Sequence, residues 1–99
     1  MSWTLQIRPE ASQDLYAAAT YYQGISEQVH RRFLYQVDSA MNLLMEAPLR
    51  PSLWRAGKPY RRVILRVFPY SLFYTVEQDT VTVMALAHHR ARPGAWLRR

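Results

Sequence analysis

The hydrophobic pattern changes period across one short stretch. Residues 48–59 read Pro-Leu-Arg-Pro-Ser-Leu-Trp-Arg-Ala-Gly-Lys-Pro. Prolines at 48, 51 and 59, with Gly57 between them, forbid regular structure there, because each proline lacks an N–H donor and fixes its own φ. Before this stretch apolar residues recur every three or four positions. After it they alternate. The first half therefore reads as helices and the second as strands, with an irregular link between two layers. Leu53 and Trp54 are the residues that would tack the link onto the body.

Within that frame the elements follow. Trp3 to Arg8 alternates as a short strand, with Trp3, Leu5 and Ile7 on one face. Pro9 and Glu10 suit the first turn of a helix, one by its fixed φ and the other by its charge against the dipole. Ala11, Leu15, Ala18 and Tyr22 then form a buried stripe, and Gly24 is a left-handed stop signal. Ser26 is a good N-cap for a second helix with the stripe Val29, Phe33, Val37, Ala40 and Leu44. Pro48 ends it by disfavouring helical geometry at Ala47. So short a link makes the two helices an antiparallel hairpin. Tyr60–Val67, Tyr70–Val76 and Thr80–His88 alternate as three strands, the last two joined through Gln78-Asp79. They form an antiparallel meander, and the first strand pairs with one of its edges. The expected fold is α+β: a two-layer sandwich, β-α-α-β-β-β, with the helical hairpin packed on an antiparallel sheet. The opposite sheet face is expected to be more polar, framed by Arg62, Arg66 and His88.

Ninety-nine residues suffice for one domain, spanning 1–99, and leave no room for a separate cofactor domain. There is no cysteine, which excludes disulfides, zinc-thiolate sites and cysteine nucleophiles. No apolar run approaches the roughly 20 residues of a membrane span, and the N-terminus lacks the pattern of a secretory signal. A cytoplasmic protein with no membrane association is expected.

Charge narrows the function. The net charge is +6, and its distribution is lopsided. Residues 1–49 hold three arginines against five acids, whereas residues 50–99 hold ten bases against Glu77 and Asp79 alone. A basic second half predicts a polyanionic partner: nucleic acid, a ribonucleoprotein or an acidic protein segment. Arg62 and Arg66, four apart on one strand, share a face at roughly 13 Å and need an anion between them or solvent. The tail adds His88, His89, Arg90, Arg92, Arg98 and Arg99. By strict alternation His88 faces the basic groove and His89 the helices. Trp96, after Pro93-Gly94, docks the tail or stacks on a base.

No phosphate-binding glycine loop, paired-carboxylate site or metal-ligand cluster is legible, so neither metal nor cofactor is expected. Whether the chain is an enzyme is left open by its residues. If it is one, metal-independent RNA cleavage fits best, with Arg62, Arg66 and His88 as the catalytic candidates.

An ordered series of residues resembles the RelE/ParE toxin superfamily of type II toxin–antitoxin systems. It comprises Arg8-Pro9-Glu10-Ala11, Asp14-Leu15, Arg32-Phe33, Pro48, Arg61-Arg62, Phe68-Pro69-Tyr70, Tyr74, His88, Arg90, Arg92-Pro93, Trp96 and a terminal arginine. The resemblance implies a growth-arresting toxin neutralised by a small cognate antitoxin. RelE-like members cut messenger RNA in the ribosomal A site; ParE-like members poison DNA gyrase. No tyrosine follows Tyr74, and the tail His88-His89-Arg90-Ala91-Arg92-Pro93 with Trp96 looks more like the ParE branch. The expectation is thus a ParE-like toxin, with a RelE-like nuclease as the alternative and a non-toxic nucleic-acid-binding module as the third reading. Lys58, Arg61, Arg62, Arg66, Arg90, Arg92 and Trp96 are the candidates for binding target or nucleic acid. The antitoxin is expected in the apolar groove beside the helical hairpin and at the sheet edge, and the same surfaces would allow a homodimer in its absence.

Overall fold

The computed structural model describes residues 2–55 and 58–98, with Arg98 described by its backbone alone. Ala56 and Gly57 of the link, and Arg99 of the basic tail, lie outside the described residues.

The chain runs β1 (Thr4–Ile7), α1 (Pro9–Ile25), α2 (Glu27–Glu46), β2 (Arg61–Ile64), β3 (Tyr70–Glu77) and β4 (Thr80–His88), then a 3-10 turn at Ala95–Arg98. The two helices pack as a hairpin on one face of a four-stranded sheet of order β1-β4-β3-β2. β2, β3 and β4 are the expected antiparallel meander. β1 pairs with β4 in parallel, Thr4 opposite Thr80 through Ile7 opposite Val83, so the sheet is mixed rather than wholly antiparallel. The long crossover through both helices lets β1 and β4 run the same way.

Gly24 does not stop α1. The helix runs through it to Ile25, and Ser26 does both jobs at the corner. Its extended backbone closes α1, with Ser26 N–H donating to Tyr22 O at 3.2 Å. Its hydroxyl caps α2 by accepting from Val29 N–H at 3.1 Å. α2 ends before Pro48 as its sequence requires.

The core lies between the hairpin and the sheet. Both stripes point into it: Ala11, Ala18 and Tyr22 from α1, and Phe33, Ala40 and Leu44 from α2, with Leu15, Val29 and Val37 packed at its margin. They meet Val63, Leu65, Leu72, Tyr74, Val81, Val83 and Leu86. At one end Tyr22, Phe33, Phe68 and Tyr70 form an aromatic cluster with centroids 4.9–6.2 Å apart. Each large ring buried there contributes about 1.5–3 kcal/mol relative to an exposed one. Tyr74 is fully buried, and its hydroxyl donates to Pro48 O at 2.7 Å, tying the sheet to the end of α2.

Two departures from alternation reshape the second half. The strand expected over Tyr60–Val67 stops at Ile64. Leu65 is still buried, but Val67 adopts φ 74° and stands 78% exposed, while Phe68 turns inward. Leu65 N–H donates to Tyr70 O at 2.9 Å, so residues 65–70 form a tight turn in which Arg66 sits. The second departure is a β-bulge. Phe73 pairs with Ala85 but Tyr74 pairs with Val83, leaving Met84 as the extra residue of β4. From Ala85 onward every side chain of β4 lies on the face opposite to the one alternation predicts.

No helix among the described residues is long and apolar enough to cross a membrane.

Candidate functional site

The sheet face away from the helices is not the open polar surface expected. The bulge turns Ala85 and Ala87 toward it, opposite Phe73 and Ser71 of β3. These small residues leave room for large ones above. The link and the tail fill it: Trp54 packs on Phe73 (4.8 Å, 69°), and Trp96 lies on Phe73 (4.9 Å, 34°) and against Tyr60 (5.0 Å, 83°). This second small core holds both irregular segments in place. Trp54 N–H donates to Tyr60 O at 2.7 Å, and Leu53 bridges Arg61 across the outer edge of β2. Gly94, at φ 75°, makes the turn that brings Trp96 back. A side chain there would crowd Leu97 at 3.3 Å and Trp54 at 3.6 Å. Trp96 Nε1 is buried with no hydrogen-bond partner among the described residues.

Beside these rings lies a cavity of about 730 Å³. Trp54, Phe73 and Trp96 form its aromatic floor, Ser71 and His89 one wall, and Arg55, Arg62 and Arg92 its cationic rim. Its volume falls in the range of ligand sites, ~300–1,000 Å³. It extends to the part of β4 that β1 does not cover, where an Asp14 carboxylate oxygen accepts the Leu86 N–H at 3.1 Å.

The sequence-derived residues divide sharply. Arg62, Arg92 and Trp96 come together at the cavity. Arg66 does not share a strand face with Arg62; it is exposed on the 65–70 turn, away from the cavity lining. Arg61 is committed to the fold, its guanidinium donating to Leu49 O at 3.4 Å and to Pro51 O. Lys58 is exposed in the link and Arg90 on the turn after β4. The two histidines exchange places. His88 ends β4 at the cavity wall, but its ring packs on Tyr70 at 5.0 Å on the helix side, and its Nδ1 accepts from Arg90 N–H at 3.0 Å. His89 faces the cavity, with Nε2 3.1 Å from the hydroxyl of the buried Ser71 and its backbone N–H on Pro69 O at 2.8 Å. The Met84 bulge is the physical cause.

Arg55 was missed. Its guanidinium carbon sits 4.4 Å over the Trp54 ring, a cation–π contact for which the adjacent Trp-Arg pair was the available signal. Among the described residues no group of three His, Cys, Asp or Glu side chains could hold a metal ion. Among the described residues near the site Tyr70 is the strongly shifted group: burial, aided by a hydrogen bond with Tyr22 and the nearby Tyr22 and Tyr21 hydroxyls, pushes it up to about 12.

A helical hairpin on a mixed four-stranded sheet, with a basic second face closed by the tail, defines a member of the RelE/ParE superfamily. The chain belongs to the ParE toxins of type II toxin–antitoxin systems: the family described as "ParE toxin of type II toxin-antitoxin system, parDE" matches residues 5–93. It is 26% identical over 96 residues to Toxin ParE2 of Mycobacterium tuberculosis, covering 96% of this chain and 90% of that toxin. Among solved structures it resembles a chain of a chromosomal ParDE system from P. aeruginosa (TM-score 0.73, 17% identity, covering 87% of this chain and 95% of that one). It also resembles a mutant of the E. coli toxin RelE in the free state (TM-score 0.62, 18% identity, covering 94% and 90%).

Proposed function

We propose that this toxin acts in the cytoplasm on DNA gyrase and is held inactive by a small cognate antitoxin. The observation that carries the reading is the match to the ParE family across residues 5–93. The geometry supports it against the nuclease alternative. General acid–base cleavage needs its groups converging within hydrogen-bond reach of one phosphate. Arg62 and His88 both border the cavity, but the His88 ring is turned to Tyr70 and Arg66 stands on a separate turn, so the three candidates do not converge. The remaining histidine at the cavity, His89, is engaged with Ser71. The basic half suits an acidic antitoxin segment, which would cover charge and apolar surface together.

Inducible expression in a bacterium, with DNA and protein synthesis pulse-labelled separately, tests this. DNA synthesis is expected to fail first while translation continues. Early collapse of translation would instead support a ribosome-dependent nuclease. Co-expression of the cognate antitoxin is expected to restore growth.

A further inference from the structure

We propose that the turn at residues 65–70 engages the toxin's protein target: Val67 and Tyr21 enter an apolar hollow on a folded partner, and Arg66 meets carboxylates on its rim. That the partner is gyrase rests on the reading above; the surface is argued from this chain alone.

The backbone supplies the first observation. Among the described residues only Val67 and Gln78 carry a positive φ without being glycine, at 74° and 54°. Gln78 lies in the tight connection between β3 and β4, where left-handed backbone is common. For a β-branched side chain that region is costly, and such strain persists only where the surroundings impose it. Here they do. Leu65 N–H donates to Tyr70 O at 2.9 Å, Tyr70 N–H to Phe68 O at 2.8 Å and His89 N–H to Pro69 O at 2.8 Å. Leu65 and Phe68 are buried on either side. The backbone is clamped, yet the side chain it presents gains little from the fold, since Val67 is 78% exposed. Packing within the chain accounts for the clamp and not for the valine, because glycine would hold the same turn without strain.

An apolar surface continues from the turn onto α1. Tyr22 packs on Phe68 at 4.9 Å and Tyr21 on Tyr22 at 5.0 Å, so Tyr21 stands exposed beside the turn. Ile25, four residues further on, shares the helix face of Tyr21 and is also exposed. Arg66 adjoins Val67, is exposed, and forms no ion pair among the described residues, where the salt bridges join Arg8 to Glu10 and Arg31 to Glu27. Tyrosine and arginine are the residue types that most often carry interface energy.

Shape and charge select the occupant. An antitoxin segment that folds on binding wraps an extended groove, whereas this is a protruding turn. A second copy would set the same patch against itself, arginine toward arginine, in a chain of net charge +6. A folded protein with a concave, acid-rimmed pocket takes the tip with neither penalty.

Val67→Gly tests this, because it removes the apolar tip while relieving the strain. The variant should melt above the parent and bind the cognate antitoxin with parental affinity. Growth arrest on induction should nonetheless be relieved, and binding to immobilised purified gyrase should weaken about tenfold. Arg66→Glu and Tyr21→Ala should show the same loss. Leu49→Ala, which trims an exposed leucine of the link, should behave as the parent does. A Val67→Gly toxin that arrests growth like the parent would overturn the proposal. So would an equal loss of antitoxin affinity, which would assign the turn to the antitoxin, or a parent dimer that Val67→Gly converts to monomer in size-exclusion chromatography. Growth arrest by a parent that does not bind gyrase would remove gyrase as the partner, and the growth of Val67→Gly cells would still decide the surface.

Discussion

Tyr74 shows how much one side chain can hold together. Its ring is fully buried in the core, and its hydroxyl donates to Pro48 O at 2.7 Å from the middle of β3. The contact fixes the point where α2 gives way to the irregular link. Tyr74→Phe keeps the ring and strands a buried carbonyl, at a cost of about 1–3 kcal/mol. Urea unfolding should show a lower midpoint with an unchanged slope. Tyr70 makes a prediction of the opposite kind. Its folded pKa, about 12, lies above the ordinary 10.0 because burial disfavours the phenolate. The folded state therefore holds that proton more tightly. The resulting stabilisation is complete below pH 10 and is lost as pH rises from there toward 12. Tyr70→Phe should flatten the alkaline arm of the stability profile, measured by denaturation between neutral pH and pH 11. Met84 marks the limit of reading residues singly. Nothing in Thr80–His88 announces a bulge, since no glycine or proline interrupts the run. One unpaired residue nonetheless sends His88 to the helix side and His89 to the cavity.

At the scale of elements, local chemistry was legible where one signal dominated. The stripes of α1 and α2, the cap at Ser26 and the stop at Pro48 all follow from spacing and hydrogen-bond supply. Gly24 misled because two stop signals stood two residues apart, and the stronger was the serine that closes one helix and opens the next. Gly24 is therefore a helical residue with negative φ, and an added Cβ would meet nothing within 4 Å. Gly24→Ala should raise stability by about 0.5–1 kcal/mol, seen as a higher melting temperature with no change in toxicity. The short β2 was hidden for another reason. Its alternation continues through Leu65, and only the left-handed backbone of Val67 ends the pattern, a conformation no one expects of a β-branched residue. With it Arg66 leaves the strand, and the pair of arginines expected on one face is broken.

For the whole molecule, the two periods on either side of residues 48–59 correctly gave two layers and their order. The link and tail could not be placed from sequence, because they fold by packing Trp54 and Trp96 on Phe73, a contact between distant segments with no local signal. The cavity and its arginine rim are assembled by that contact, and charge alone does not single out Arg55 beside Arg62 and Arg92. We propose that this assembled basic face serves a toxin of gyrase and not a ribonuclease. The most direct measurement is ATP-dependent supercoiling of relaxed plasmid by purified gyrase, titrated with the purified toxin, beside a cell-free translation reaction given the same amounts. Inhibited supercoiling or accumulated cleaved plasmid, with translation undisturbed, is the predicted result. Unimpeded supercoiling at excess toxin, with translation blocked and message cut, would contradict it.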